Sequence, residues 1–211
     1  MIVPLVDHSW FYGVARHQGI RPTCLAFAAS DLNAALHETE HLSVEYLCHH
    51  TSRSMHFWSP DEGFTLDAVL AAVEKPGQPL EQLYPYSGDN HDAPAMAPPD
   101  NLSPLYRAIT RARDLSVDDI ASRVVAGDGV GIIVAVTQSL YYPIEGMIKW
   151  DPYVIPELLH ALIVTGLGTH QSTGERHFLV RNSWGKDWGN QGYAWMPDSH
   201  LNLHLIEGFV I

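Results

Sequence analysis

Hydrophobic periodicity changes midway along this chain, and that change restricts the fold more than any single residue does. After Pro22-Thr23, which suit a helix entry, Leu25, Ala28, Ala29, Leu32, Ala35 and Leu36 recur at three- and four-residue spacing. The spacing predicts a helix from about Thr23 to about Glu38 with one buried face and Cys24 in its first turn. A second short helix is expected from Ser43 across Leu47-Cys48, and a third over Thr65 to Glu74 with Leu66, Val69, Leu70 and Val73 on one face. The polar and aromatic stretch from Cys48 to Gly63 between them reads as a loop.

The second half has a different pattern. Ser116-Val117-Asp118-Asp119 is a capping-box signature that opens a helix to about Val125. Short apolar runs of strand character follow at Gly131–Val136, Leu159–Leu167, Arg176–Arg181 and Gly192–Met196, separated by turn signals such as Gln171-Ser172-Thr173-Gly174. The Pro- and Ala-rich segment from Ala93 to Pro104, which holds Pro94, Pro98 and Pro99, is the expected crossover between a helical lobe (about 15–100) and a strand-rich lobe (about 105–205). A length of 211 residues fits one such domain, 1–211, with termini crossing between the lobes.

Charge excludes some functions. The chain carries 12 Lys and Arg against 24 Asp and Glu, a net charge of -12, and its basic residues never cluster. A nucleic acid or an anionic membrane is therefore not an expected partner. No apolar run is long enough to span a bilayer, and the Met1-Ile2-Val3-Pro4 start lacks the features of a signal peptide, so a cytoplasmic location is expected, with non-Sec export or a processed secreted form as alternatives. Two cysteines, Cys24 and Cys48, are too few for a secreted disulfide framework.

Four residues suit acyl transfer by a thiol. Cys24 at a helix N-terminus would have its anion favoured by unpaired backbone N–H groups. His160 would hold the thiolate as an ion pair and protonate a leaving amine. Asn182 would fix the imidazole tautomer without adding charge, and Gln18 would offer an amide N–H to an oxyanion, beside the Cys24 backbone N–H. Taken singly, each has a plainer reading: a core thiol, one of 13 histidines, a turn residue and a surface amide. The combination in this order is what carries the chemistry. No metal or cofactor is called for.

The strings around these residues resemble those of papain-like cysteine proteases, peptidase family C1. Gln18-Gly19 to Phe27 resembles that family's nucleophile motif, Leu42-Ser43 to Cys48 its second-helix segment, and Tyr84-Pro85-Tyr86 a recurrent turn. His160-Ala161-Leu162 and Asn182-Ser183-Trp184-Gly185, followed by Trp188-Gly189, complete the set. The resemblance implies an α+β fold with a helical N-terminal lobe, an antiparallel β-barrel-like C-terminal lobe and the active-site cleft between them. It also implies a Cys24–His160–Asn182 triad hydrolysing peptide bonds through a thioester. Trp184 would shield the Asn182–His160 hydrogen bond, and with Gly63, Phe64, Thr65 and Leu159 it would contact a peptide or protein substrate.

The chain departs from the family in several places. Leu25 follows the thiol where the family has an aromatic residue, and Pro22-Thr23 replaces Gly-Ser. Arg21 stands where a disulfide cysteine is usual, so Cys48 reads as a buried structural thiol, and Glu62-Gly63 replaces a Gly-Gly pair. No propeptide is expected before Gln18, so a processed form, or restraint by an inhibitory or regulatory protein partner, would be implied. Deamidation or transamidation of a partner protein, and a non-catalytic binding module, remain alternatives.

Overall fold

The computed structural model describes residues 1–89 and 97–211; residues 93–96 of the expected crossover, Pro94 among them, lie outside the described residues. The chain divides into two compact units, one of Met1–His17 with Ala112–Val210 and the other of Gln18–Arg111 with Ile211.

The second of these is helical. Helix α1 (Cys24–Leu36) begins where the periodicity placed it, with Thr23 at the cap position. Helix α2 (Val44–Ser54) is capped by the Ser43 hydroxyl, which accepts the Tyr46 N–H at 3.0 Å. It runs through Cys48 to Ser54, so the first part of the expected 48–63 loop is helical. The reason is packing: Val44, Leu47, Cys48 and Thr51 are all fully buried, at the i, i+3, i+4, i+7 spacing of one helix face. Helix α3 (Leu66–Glu74) follows Thr65 as expected. A buried polar cluster ties these elements together. The Gln78 side chain accepts from Asn33 Nδ2 at 3.0 Å and donates to Ser30 Oγ and the Ser43 carbonyl at 2.9 and 3.0 Å. These three bonds on one buried amide help specify how α1 meets the start of α2, although Asn33 Oδ1 is left without a partner among the described residues.

The other unit is built on an antiparallel sheet. Its strands are β1 (Ile2–Asp7), β2 (Val130–Thr137), β3 (Val154–His170), β4 (Arg176–Arg181), β5 (Tyr193–Pro197) and β6 (Leu205–Phe209). They lie in the order β5-β4-β3-β2-β6, with β1 added along β3. Helix α4 (Val117–Val125) has the reciprocal capping box between Ser116 and Asp119, and two short helices, α5 (Gln138–Tyr141) and α6 (Asp198–His204), follow β2 and β5. Alternate residues of β2, Ile132, Val134 and Val136, join Leu162 and Val164 of β3, Phe178 and Val180 of β4, and Ile120 and Val124 of α4 in one core. The architecture is therefore α+β with an antiparallel sheet. Among the described residues no helix is long and apolar enough to cross a membrane.

Gly131 has a packing reason. It pairs with Phe209 across the β2–β6 ladder, and an added Cβ would fall inside the fully buried Phe209 ring. Gly131→Ala is expected to destabilise the fold by about 1–3 kcal/mol, read as a lower urea midpoint; an unchanged midpoint would show that the ring can yield.

Candidate functional site

Pairing in the sheet brings His160 and Asn182 together. His160 lies opposite Val134 of β2 near the middle of β3, and Ile163 lies opposite Arg181, the last residue of β4. Continuing that register by one residue sets Asn182 diagonal to His160, a separation that side chains span. His160 Nε2 and Asn182 Oδ1 are 2.7 Å apart, with both residues buried.

The proton on this bond can be assigned. The backbone N–H of Ser183 also points at Asn182 Oδ1, at 2.7 Å. A backbone N–H can only donate, so the atom facing it is the amide oxygen. His160 Nε2 must then carry hydrogen, which leaves the lone pair on Nδ1. Trp184 covers the pair, its ring centroid 4.4 Å from that of His160. The Trp184 ring is itself stacked on Tyr141 at 4.9 Å and met edge-on by Trp188 at 6.1 Å. Trp188 is anchored by its Nε1–H to the Leu140 carbonyl at 2.9 Å. Tyr141 carries no sequence signal beyond the Tyr-Tyr pair after β2.

Burial governs the electrostatics. It lowers His160 to about 4, against a weaker raising effect of the Asn182 hydrogen bond. His200 on α6 is likewise lowered to about 4, chiefly by burial.

In the helical unit, Cys24 is the first residue of α1 and half-buried. Thr23 does not cap the helix with its side chain; its hydroxyl bonds Tyr86 Oη at 2.7 Å instead. The first turn also contains no acidic residue, so its N–H dipoles remain a positive environment for an anion at Cys24. Gln18 is buried, and its Nε2 donates to the Arg21 carbonyl at 2.8 Å. Arg21 is also buried and forks onto Glu45 of α2, with Nη2 to Oε1 at 3.2 Å and Nη1 to Oε2. The sequence around Glu45 carries no signal of this partnership. Gly63 and Thr65 are exposed and Phe64 is half-buried, stacked with Trp58 at 5.4 Å. Gly63 approaches the loop before the thiol, since a Cβ added to it would lie 3.5 Å from the Pro22 carbonyl. Leu159, beside His160, is half-exposed. Cys48 is fully buried, and burial pushes its thiol far above the ordinary range, which suits an inert core residue.

The chain as a whole matches a known family. A family model described as papain family cysteine protease matches residues 14–208. The chain is 28% identical to cathepsin K of Mus musculus over 153 residues, 66% of this chain and 42% of that protein. It is 35% identical to a cathepsin B-like CP1 of Giardia intestinalis over 133 residues, 63% of this chain and 36% of that protein. The matches thus span about two fifths of the length of these relatives. Among solved structures, the bromelain protease of Ananas comosus in complex with the E64 inhibitor superposes with a TM-score of 0.75 at 18% identity, covering 99% of each chain.

Acid should weaken the fold through the buried His200 ring. Its folded pKa of about 4 lies below the unfolded value of about 6.5. The unfolded chain therefore binds more protons between those values, and stability is lost as pH falls from about 6.5 to about 4. For one ring the loss is at most on the order of 3 kcal/mol. Urea midpoints measured across this window should fall with pH, and less steeply in His200→Leu; an equal slope in both proteins would contradict the assignment.

Proposed function

The chain belongs to the papain family of cysteine proteases, and from that premise we propose that it is a cysteine peptidase with Cys24 as nucleophile. The observation that carries the reading is the dry His160–Asn182 bond, which leaves Nδ1 as the base. Cys24 passes its proton to His160 Nδ1, and Sγ attacks the carbonyl carbon of a peptide. The oxyanion is met by the Gln18 side-chain N–H and the Cys24 backbone N–H. The tetrahedral adduct collapses to a thioester as the C–N bond breaks, and the leaving amine takes the His160 proton. Water, deprotonated by His160, then hydrolyses the thioester to a carboxylate and frees the thiol.

A ring that burial alone holds neutral to about pH 4 needs the thiolate's charge to become imidazolium near neutrality. The roles of Gly63, Phe64, Thr65, Leu159 and Trp184 are to hold the substrate. Gly63 would lend backbone groups to an extended peptide, and exposed Leu159 and partly buried Trp184 would face its apolar side chains. Glu62, exposed beside Gly63, favours basic substrate residues.

Mass spectrometry of a proteome-derived peptide library should give new termini with the wild-type protein and none with Cys24→Ala. His160→Ala should lower kcat by roughly 10²–10⁴-fold. One-dalton gains on Gln without cleavage would replace the peptidase reading with a deamidase, and no change dependent on Cys24 would leave only a binding module. In Cys24→Ala, with the thiolate removed, NMR should find His160 titrating at about 4; a midpoint above 6 would contradict the burial argument.

A further inference from the structure

Beside Cys24 the helical unit buries an ion pair that the proposed chemistry leaves unused. Arg21 and Glu45 are each nearly inaccessible, 3% and 4% exposed in their side chains. The Arg21 guanidinium grips the Glu45 carboxylate and also donates from Nη1 to the Ser87 carbonyl at 3.0 Å. It packs 4.7 Å above the centre of the Tyr86 ring. Glu45 returns to the same segment by accepting the Ser87 N–H at 3.3 Å. Arg21 and the 86–87 segment are thus fixed against α2 from both sides.

Both fixed pieces end on Gln18. The Arg21 carbonyl accepts the Gln18 Nε2–H at 2.8 Å, and Tyr86 Oη donates to the Gln18 backbone carbonyl at 2.8 Å. Because the Tyr86 proton is committed to that carbonyl, the Thr23 hydroxyl donates to Tyr86 Oη across their 2.7 Å contact. The residue before Cys24 is therefore tied into the same set. An amide group is planar, so holding one of its N–H bonds on the Arg21 carbonyl sets the direction of the other.

We propose that Arg21 and Glu45 are positioning residues for the oxyanion donor: their buried pair holds the carbonyl that orients the Gln18 amide. Neither touches substrate. The inference rests on the peptidase reading of Gln18, but its structural half is testable without turnover. A buried pair can be exchanged for apolar residues without loss of the fold, whereas a single deletion strands a charge. The variant of choice is therefore Arg21→Met/Glu45→Met.

With a peptide substrate, this double variant should lose about tenfold in kcat with KM within about twofold, the signature of an interaction made in the transition state. In a Gln18→Ala background, itself lowered by about 10²–10³-fold, the same exchange should change kcat by less than about twofold, because the donor it positions is gone. An equal loss in both backgrounds, or unchanged kcat in the first, overturns the proposal. The second readout is the side-chain amide resonance of Gln18, assigned by its absence in Gln18→Ala. It should be slow to exchange in the wild type and lose that protection in the double variant; retained protection also overturns the proposal. If the double variant does not fold, Glu45→Gln carries both measurements, since it replaces an accepting oxygen with an N–H at unchanged size. A wild type with no turnover beyond Cys24→Ala sinks the peptidase reading separately, and the amide signal still decides the positioning.

Discussion

Strand β3 is the constraint on which the sheet-bearing unit depends. It pairs with β1 at its C-terminal end, with β2 along most of its length and with β4 on its other side. Side chains alternate along a strand, so a slip of one residue against β4 would turn His160 away from Asn182 and move Leu162 and Val164 out of the core in the same step. The His160–Asn182 hydrogen bond and the hydrophobic core are thus set by one register. Burial of the core stabilises the geometry of the bond, and the bond needs no further device than the tryptophan stack that keeps water from it.

The helical unit solves a similar problem with charge. The loop that leads to Cys24 contains Pro22 and the Gly19 backbone at positive φ, whose close approach to Gly88 leaves no room for a side chain. What keeps such a loop in one conformation is the Arg21–Glu45 pair below it and the Tyr86 hydroxyl beside it. A buried pair contributes little net stability once desolvation is counted, yet it is strict about geometry. That trade suits the proposed role of a segment that presents a thiol and an amide in fixed directions.

The sequence made some of this legible. The starts of α1 and α3, the capped helix at Ser116 and the strands at 131–136 and 176–181 followed from periodicity and capping residues, because each buries a face whose letters are plainly apolar. The second half of α2 was hidden because its buried face ends in Thr51, and His49 and Ser52 gave it a polar look. Strand β1 contains Pro4 and exposes Val3 and Leu5, so it lacks the alternation of a half-buried strand and exists through its pairing with β3. The extra length of β3 passes Pro156 and Glu157, the latter at a positive φ of 60°, which no local rule favours. Cys24, His160, Asn182 and Gln18 were named from their order and their neighbours. Arg21 drew notice as a departure, while its partner Glu45 did not, since a charge within a short helix is usually solvated.

The claim that matters most is that Cys24 is an activated thiol whose anion depends on His160. Its sharpest test is the pH dependence of Cys24 alkylation by iodoacetamide in the wild type and in His160→Gln, with buried Cys48 silent in both. Wild-type alkylation should persist several pH units below the ~8.5 at which an ordinary thiol titrates, and His160→Gln should abolish this acid limb. Alkylation that follows an ordinary thiol in both proteins would contradict it.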